Sequence, residues 1–211
     1  MELKIFKGAL AYLKQVVGRM LSVQYKIHVY FGLTGSGKTT VAAAMMYKLH
    51  KKNLKLIKKG RVPVNIYTNI RTAFPTIQIT KNDLIDGKLT DGVLFLDEGS
   101  LMFNNRQFKT FSDANQTFFR YHRKSRLHIN VFSQSFDDTD KVIRSLAHQY
   151  FIVQKFLIWW CAVRAVHCRI WIDDISKQII TEYMKPPWLL FAKKYFWPSW
   201  SIKFDTTQRL E

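Results

Sequence analysis

A chain of 211 residues suits one α/β domain with modest additions and leaves room for a substantial core. Two cysteines, Cys161 and Cys168, without C-x-x-C spacing, exclude a disulfide framework and a zinc ribbon and make a reducing cytosol the expected compartment. The formal net charge of +18 points to a polyanionic partner, either nucleic acid or an anionic membrane face. A membrane span is not expected, because the longest uncharged apolar run, Phe156 to Val163, stops at Arg164, and no cleavable signal stands at the start.

Residues 3–21 place Phe6, Leu10, Leu13, Val17 and Leu21 at helical spacing opposite Lys4, Lys7, Lys14 and Arg19. The pattern predicts a basic amphipathic helix over residues 1–24, either packed on protein or lying at a bilayer interface. A strand is expected over 25–31, a helix over 38–49, strands over 62–69 and 77–79, and a buried strand over 93–96. A helix over 107–121, a strand over 129–134, a helix over 138–147 and a strand over 150–156 complete a core of residues 25–156. This alternation predicts an α/β fold with a mostly parallel sheet flanked by helices. Residues 157–211 form a β-prone, aromatic extension that ends in a tail mixing Trp188, Phe191, Tyr195, Trp197 and Trp200 with Lys193 and Lys194. Such a tail suits subunit packing, a bilayer interface or stacking on bases. Charge is unevenly placed. Fifteen lysines and arginines and no acid fall between Leu3 and Asn82.

The segment GLTGSGKT at 32–39 fits a phosphate-binding loop between a strand and a helix. Gly32, Gly35 and Gly37 let the backbone curl around a triphosphate, so that the N–H groups of Thr34, Ser36 and Thr40 and their neighbours point at its oxygens. Lys38 would meet the β- and γ-phosphates, and Thr39 would ligate Mg²⁺. The apolar run Val93 to Leu96 ends in Asp97 and Glu98, which puts two carboxylates at the carboxyl end of a buried strand. Asp97 is the expected metal aspartate. Glu98 is the expected base that orients an attacking water. The cofactors implied are ATP and Mg²⁺, and the reaction is hydrolysis.

Four segments resemble the zonula occludens toxin-like (Zot-like) phage assembly ATPases of the FtsK–HerA P-loop superfamily. They are GLTGSGKT leading to VNIYTNI at 64–70, FLDEGSLMFNNR at 95–106, FRYHRKSRLHINVFSQSFDDTDKVIRSL at 119–146, and WSIKFDTTQ at 200–208. The resemblance implies that Gln134 senses the γ-phosphate or positions water. It also implies that Arg120, Arg123 or Arg144 acts as an arginine finger on a neighbouring subunit's nucleotide, within a homo-oligomeric ring. His122 is expected to be a structural hydrogen-bonding group. The function implied is an ATP-driven motor acting on DNA, without reading its sequence, in virion assembly or export. Its expected place is the host cytoplasm, peripheral to the inner face of the cytoplasmic membrane, with phage or host export proteins as partners. Two other readings stay open: a duplex-DNA packaging ATPase of the same superfamily, and a membrane-peripheral scaffold that uses ATP as an assembly switch. Filamentous-phage members continue into a transmembrane segment and a further domain that gives the toxin its name. This sequence stops at Glu211 with neither, so direct coupling to an extrusion channel would need an anchor supplied by a separate protein, and toxin activity is not expected.

Overall fold

The computed structural model describes residues 25–98, 113–135, 139, 141–156, 159–172, 179–184 and 193–196. The helix expected over 3–21, Arg106, the tail residues Trp188, Phe191, Trp197 and Trp200, and the 200–208 segment lie outside the described residues.

The chain enters β1 (Ile27–Phe31), turns through the glycine-rich loop and forms α1 (Lys38–Ile57). It continues through β2 (Asn65–Thr68), β3 (Ile77–Gln78), α2 (Lys81–Ile85) and β4 (Gly92–Leu96). After α3 (Asp113–Tyr121) come β5 (Leu127–Ser133), α4 (Lys141–Leu146) and β6 (Gln149–Phe156). The last described elements are β7 (Trp160–Ile172), β8 (Ile179–Met184) and β9 (Lys193–Phe196). Among the described residues these strands form one sheet in the order β3-β2-β4-β5-β1-β6-β7-β8, with β9 also along β7. Every pair from β3 to β6 is parallel, and β7 pairs antiparallel with β6, β8 and β9. The mostly parallel α/β sheet read from the sequence is therefore present.

Strands buried on both faces need apolar residues at successive positions, and alternate residues serve opposite layers. Ile27, Val29, Leu94, Leu96, Ile129 and Val131 join Leu84, Phe118, Phe119 and Ile143 of α2, α3 and α4 on one face. Tyr30, Phe95 and Phe132 join Val41 to Met46 of α1 on the other, together with Val153, Cys161 and Tyr195. The β7 and β9 strands, read as an extension, thus contribute to the same core as α1.

Several boundaries differ from the expected ones. The helix foreseen over 38–49 runs on to Ile57, because alanine, lysine and leucine are strong helix formers and nothing interrupts them before Gly60, whose φ is +65°. The helix foreseen over 138–147 is the shorter Lys141–Leu146. The five-residue α2 was not foreseen. It begins where the Asp83 carboxylate accepts from both the backbone N–H and the hydroxyl of Thr80, each at 2.7 Å, and one turn is too short for apolar periodicity to show.

Four histidines gather at the amino edge of the sheet. The His28 ring packs edge-on against His128 with centroids 4.7 Å apart, and His122 lies 5.8 Å from His148. His148 Nδ1 accepts from the Ile27 N–H at 3.1 Å, and Arg123 Nη2 sits 2.5 Å from His148 Nε2. His122 Nδ1 bonds the Phe119 carbonyl at 2.7 Å, the structural role expected of it. Burial holds all four below the ordinary histidine value, His28 at about 4. A histidine with a depressed native pKa binds its proton more weakly folded than unfolded. Stability is then full above about pH 6.5 and falls as the pH drops towards the native value. Urea titrations at pH 7 and pH 5 should show the fall. His28→Phe, which keeps a ring against Phe151, should make it smaller, and an equal fall in both proteins would remove His28 as a source.

Candidate active site

Parallel strands bring their carboxyl ends to one edge, and the predicted site residues from β1, β4 and β5 meet there. The glycine-rich loop leaves β1, whose Gly32 N–H bonds the Ser133 carbonyl at the end of β5 at 3.3 Å. A Cβ on Gly32 would lie 2.2 Å from the Val153 carbonyl oxygen of β6, and one on Gly37 would meet Cys161 Cβ of β7 at 2.9 Å. Gly37 also has a φ of +93°, so a side chain there is excluded twice over. The β6 and β7 strands thus wall the back of the loop.

Gly37 caps α1 without a side-chain bond, and no acid stands in the helix's first turn. Its leading N–H groups are therefore directed at the loop's interior, the arrangement that favours an anion. The Lys38 ammonium donates to the carbonyls of Gly32 at 2.8 Å and Leu33 at 3.1 Å. Burial lowers its pKa, against which the Asp97 and Glu98 carboxylates pull upward. Ser36 Oγ is buried with no hydrogen-bond partner among the described residues. Thr40 is buried, and Thr34 and Gly35 are exposed at the loop's tip.

Asp97 lies one residue past β4 and is buried. Burial raises its pKa, and the hydrogen bond from Thr39 works in the opposite direction. Thr39 Oγ1 donates to Oδ2 at 2.5 Å, and the Glu98 N–H donates to Oδ1 at 3.2 Å. Asn69, just after β2, clamps the same residue's backbone. Its amide donates to the Asp97 carbonyl at 2.8 Å and its oxygen accepts from the Asp97 N–H at 2.9 Å. Glu98 follows with a φ of +49°, a left-handed conformation rare for a non-glycine residue and common where a functional side chain must be aimed. Gln134, directly after β5, links both halves. Its Oε1 accepts from Thr34 Oγ1 at 3.2 Å and its Nε2 donates to Glu98 Oε1 at 3.4 Å.

No family model and no curated protein sequence matches the chain. Among solved structures, the N-terminal domain of zonular occludens toxin from Neisseria meningitidis matches with a TM-score of 0.51 and 18% identity, over 77% of this chain and 94% of that one. The genome packaging NTPase B204 from Sulfolobus turreted icosahedral virus 2 gives a TM-score of 0.44 and 13% identity, over 78% of this chain and 98% of that one. The fold is that of a phosphate-loop NTPase core.

Two of the three candidate finger arginines, Arg120 and Arg123, are not at this site. Arg120 and Arg123 lie at the end of α3 and in the turn before β5, at the amino edge. Arg144 is in the last turn of α4, where its carbonyl accepts from Tyr150 Oη at 2.5 Å. Strands of five to seven residues separate the edges, about 17–23 Å at the usual rise. Within one subunit Arg120 and Arg123 do not reach the loop.

Two contributors escaped the sequence. Asn69 stood in the quoted VNIYTNI segment, and an amide right after a buried run was the signal that could have singled it out. Cys161 has no local signal, because only the folded sheet puts it behind Gly37; burial pushes its thiol up to about 11. Asn69→Ala should lower stability by about 1–3 kcal/mol, since it leaves a buried backbone N–H and C=O unpaired. The urea midpoint measures this, and Asn69→Asp, which keeps only the acceptor of the two bonds, should lose part of the same stability. An unchanged midpoint would show that sheet hydrogen bonding alone sets the Asp97–Glu98 turn.

Proposed function

We propose that the chain is an ATP-hydrolysing motor acting on DNA in the assembly or export of a phage or mobile element, at the inner face of the host membrane. The observation that carries the reading is the Thr39–Asp97 hydrogen bond with Glu98 and Gln134 beside it, because it joins the phosphate loop to an acidic pair suited to hydrolysis. The four segments that resemble Zot-like phage assembly ATPases support the phage context, and the toxin domain shares the fold. The net charge of +18, with no acid between Leu3 and Asn82, supports a partner that offers phosphates.

In this reading the α1 N–H groups and Lys38 bind the triphosphate, and the unpartnered Ser36 hydroxyl finds an acceptor there. The hydroxyl of Thr39 and the carboxylate of Asp97 are hard oxygen donors, the kind Mg²⁺ takes in small number alongside substrate phosphates. They fit that ion, and it would also offset the cost of the buried charge on Asp97. When bound, Mg²⁺ neutralises charge on the phosphate oxygens. Glu98 accepts the proton of an attacking water, Gln134 holds the Glu98 carboxylate in place, and Asn69 fixes the backbone from which Glu98 projects. An arginine from a neighbouring subunit, Arg144, Arg123 or Arg120, completes the site and contributes on the order of 10³-fold or more in rate.

Lys38→Ala should abolish nucleotide binding and turnover. Glu98→Gln should keep binding and stop turnover, because an amide does not accept the proton. Equal loss of affinity in both would contradict the separate roles. Wild-type turnover measured with single- and double-stranded DNA added separately tests the motor reading, and indifference to both would defeat it.

Completion between subunits predicts that Arg144→Ala or Arg123→Ala protein binds ATP but turns over slowly. Mixing either with Glu98→Gln protein should restore part of the activity, read as phosphate release. Full activity in a demonstrably monomeric sample would rule out the shared site.

A further inference from the structure

The amino edge of the sheet carries a second surface, remote from the loop. Helix α1 has 20 residues, about 30 Å at 1.5 Å each, whereas β1 and β4 have five apiece, about 17 Å. The helix outruns β1 and β4, and aliphatic side chains near its end lie partly open to water. Leu54 and Ile57 are there 46% and 54% exposed, and Val62 in the loop that follows is 88% exposed. Lys51, Lys52, Lys55, Lys58, Lys59 and Arg61 surround them, all exposed. No acid occurs anywhere in residues 51–64. The adjoining turn adds exposed Lys124 and Arg126, and the nearby Asp91 is held by Arg126 at 2.6 Å.

This edge is a built surface. Asn53, buried in α1, binds Val64 through both ends of its amide, at 2.7 Å and 3.0 Å, and so pins the loop to the helix. The Asn65 N–H bonds the Asp91 carbonyl at 3.3 Å, and the Asp91 N–H bonds the Ser125 carbonyl at 3.0 Å, tying the neighbouring loops together. The three aliphatic side chains are thus presented to water on a pinned framework.

Cations alone would suit either nucleic acid or lipid phosphates. The aliphatic side chains decide between them. A phosphate backbone gives Leu54, Ile57 and Val62 nothing, and they have no ring on which a base can stack. A bilayer interface buries them just below the headgroups while lysine stems extend and their ammoniums meet anionic lipid. We propose that Leu54, Ile57 and Val62, set among the basic side chains of residues 51–61, dock this edge of the protein on an anionic phospholipid surface. The phosphate loop then faces away from the membrane. The inference deepens the membrane-face part of the proposed function and rests on it, but it does not need nucleotide turnover.

The test uses the full chain with vesicles of phosphatidylcholine alone and of phosphatidylcholine with phosphatidylglycerol, read by cosedimentation, beside binding of a labelled oligonucleotide. Wild-type protein should bind the anionic vesicles at low salt, ignore the neutral ones and be released as salt rises. The Leu54→Gln/Ile57→Gln/Val62→Gln variant should partition about tenfold more weakly into anionic vesicles, with oligonucleotide affinity unchanged. Lys58→Glu/Lys59→Glu should lose vesicle binding as well. Unchanged urea midpoints show that the variants are folded.

Vesicle binding by the aliphatic variant equal to wild type would overturn the proposal, and so would a wild type that ignores anionic vesicles. Loss of oligonucleotide binding alone in the lysine variant would make the surface a nucleic-acid track and overturn it too. Loss of self-association in the aliphatic variant with vesicle binding intact would make it a contact between copies, with the same consequence. A wild type that binds vesicles but never hydrolyses ATP would sink the enzyme reading and leave the docking surface standing.

Discussion

A buried carboxylate at the end of a central strand is costly, and the active edge is arranged around the one at Asp97. Removing an ionised carboxylate from water raises its pKa unless hydrogen bonds and positive charge compensate. Thr39 supplies one bond from the helix after the loop, and the Glu98 N–H supplies another by turning into the left-handed region. Asn69 takes both backbone groups of Asp97, so the turn has no freedom to swing the carboxylate out to solvent. Lys38 remains close enough to feel the same charge. These compensations are partial, which leaves the carboxylate suited to a divalent ion.

That arrangement depends on strand order. β5 lies between β1 and β4, and its register runs two residues beyond β4, since Leu96 pairs with Val131 while Phe31 pairs with Ser133. The end of β5 therefore stands level with the Asp97–Glu98 turn on one side and with the loop on the other. Gln134 is the first residue past that end, the one place from which an amide can touch both Thr34 and Glu98. The same parallel geometry sends every returning helix to the opposite edge. The histidine cluster, Arg120, Arg123 and the far end of α1 collect there, away from the candidate site.

Local patterns made much of this legible. The loop at 32–39 and the apolar run ending in Asp97 and Glu98 are contiguous, and each declares its own strand end. Gln134 was singled out by the resemblance, which places a glutamine at the end of this strand. Contacts made between distant segments were not readable in the same way. Arg120, Arg123 and Arg144 were singled out by the resemblance, and nothing local says at which edge of the sheet each of them emerges. The length of α1 was underestimated because apolar periodicity fades after Leu49, while propensity alone carries the helix to Ile57.

The glycines of the loop show how a local motif can carry two constraints at once. Read from sequence, Gly32 and Gly37 serve the ligand, by letting the backbone approach phosphate oxygens. In the fold they also serve the sheet. Gly32 passes so close to the Val153 carbonyl that β6 could not occupy its place beside β1 if a side chain intervened, and Gly37 rests on Cys161 of β7. The strands after residue 149 therefore help to set the loop's shape, although none of them contributes a side chain to the acidic pair. A β7 displaced by even a methyl group's width would press on the residue that opens α1. The stability of the antiparallel β6–β7 pair and the geometry of the phosphate loop are in this way one property of the chain, which is why the aromatic, β-prone segment beginning near residue 157 belongs physically to the site.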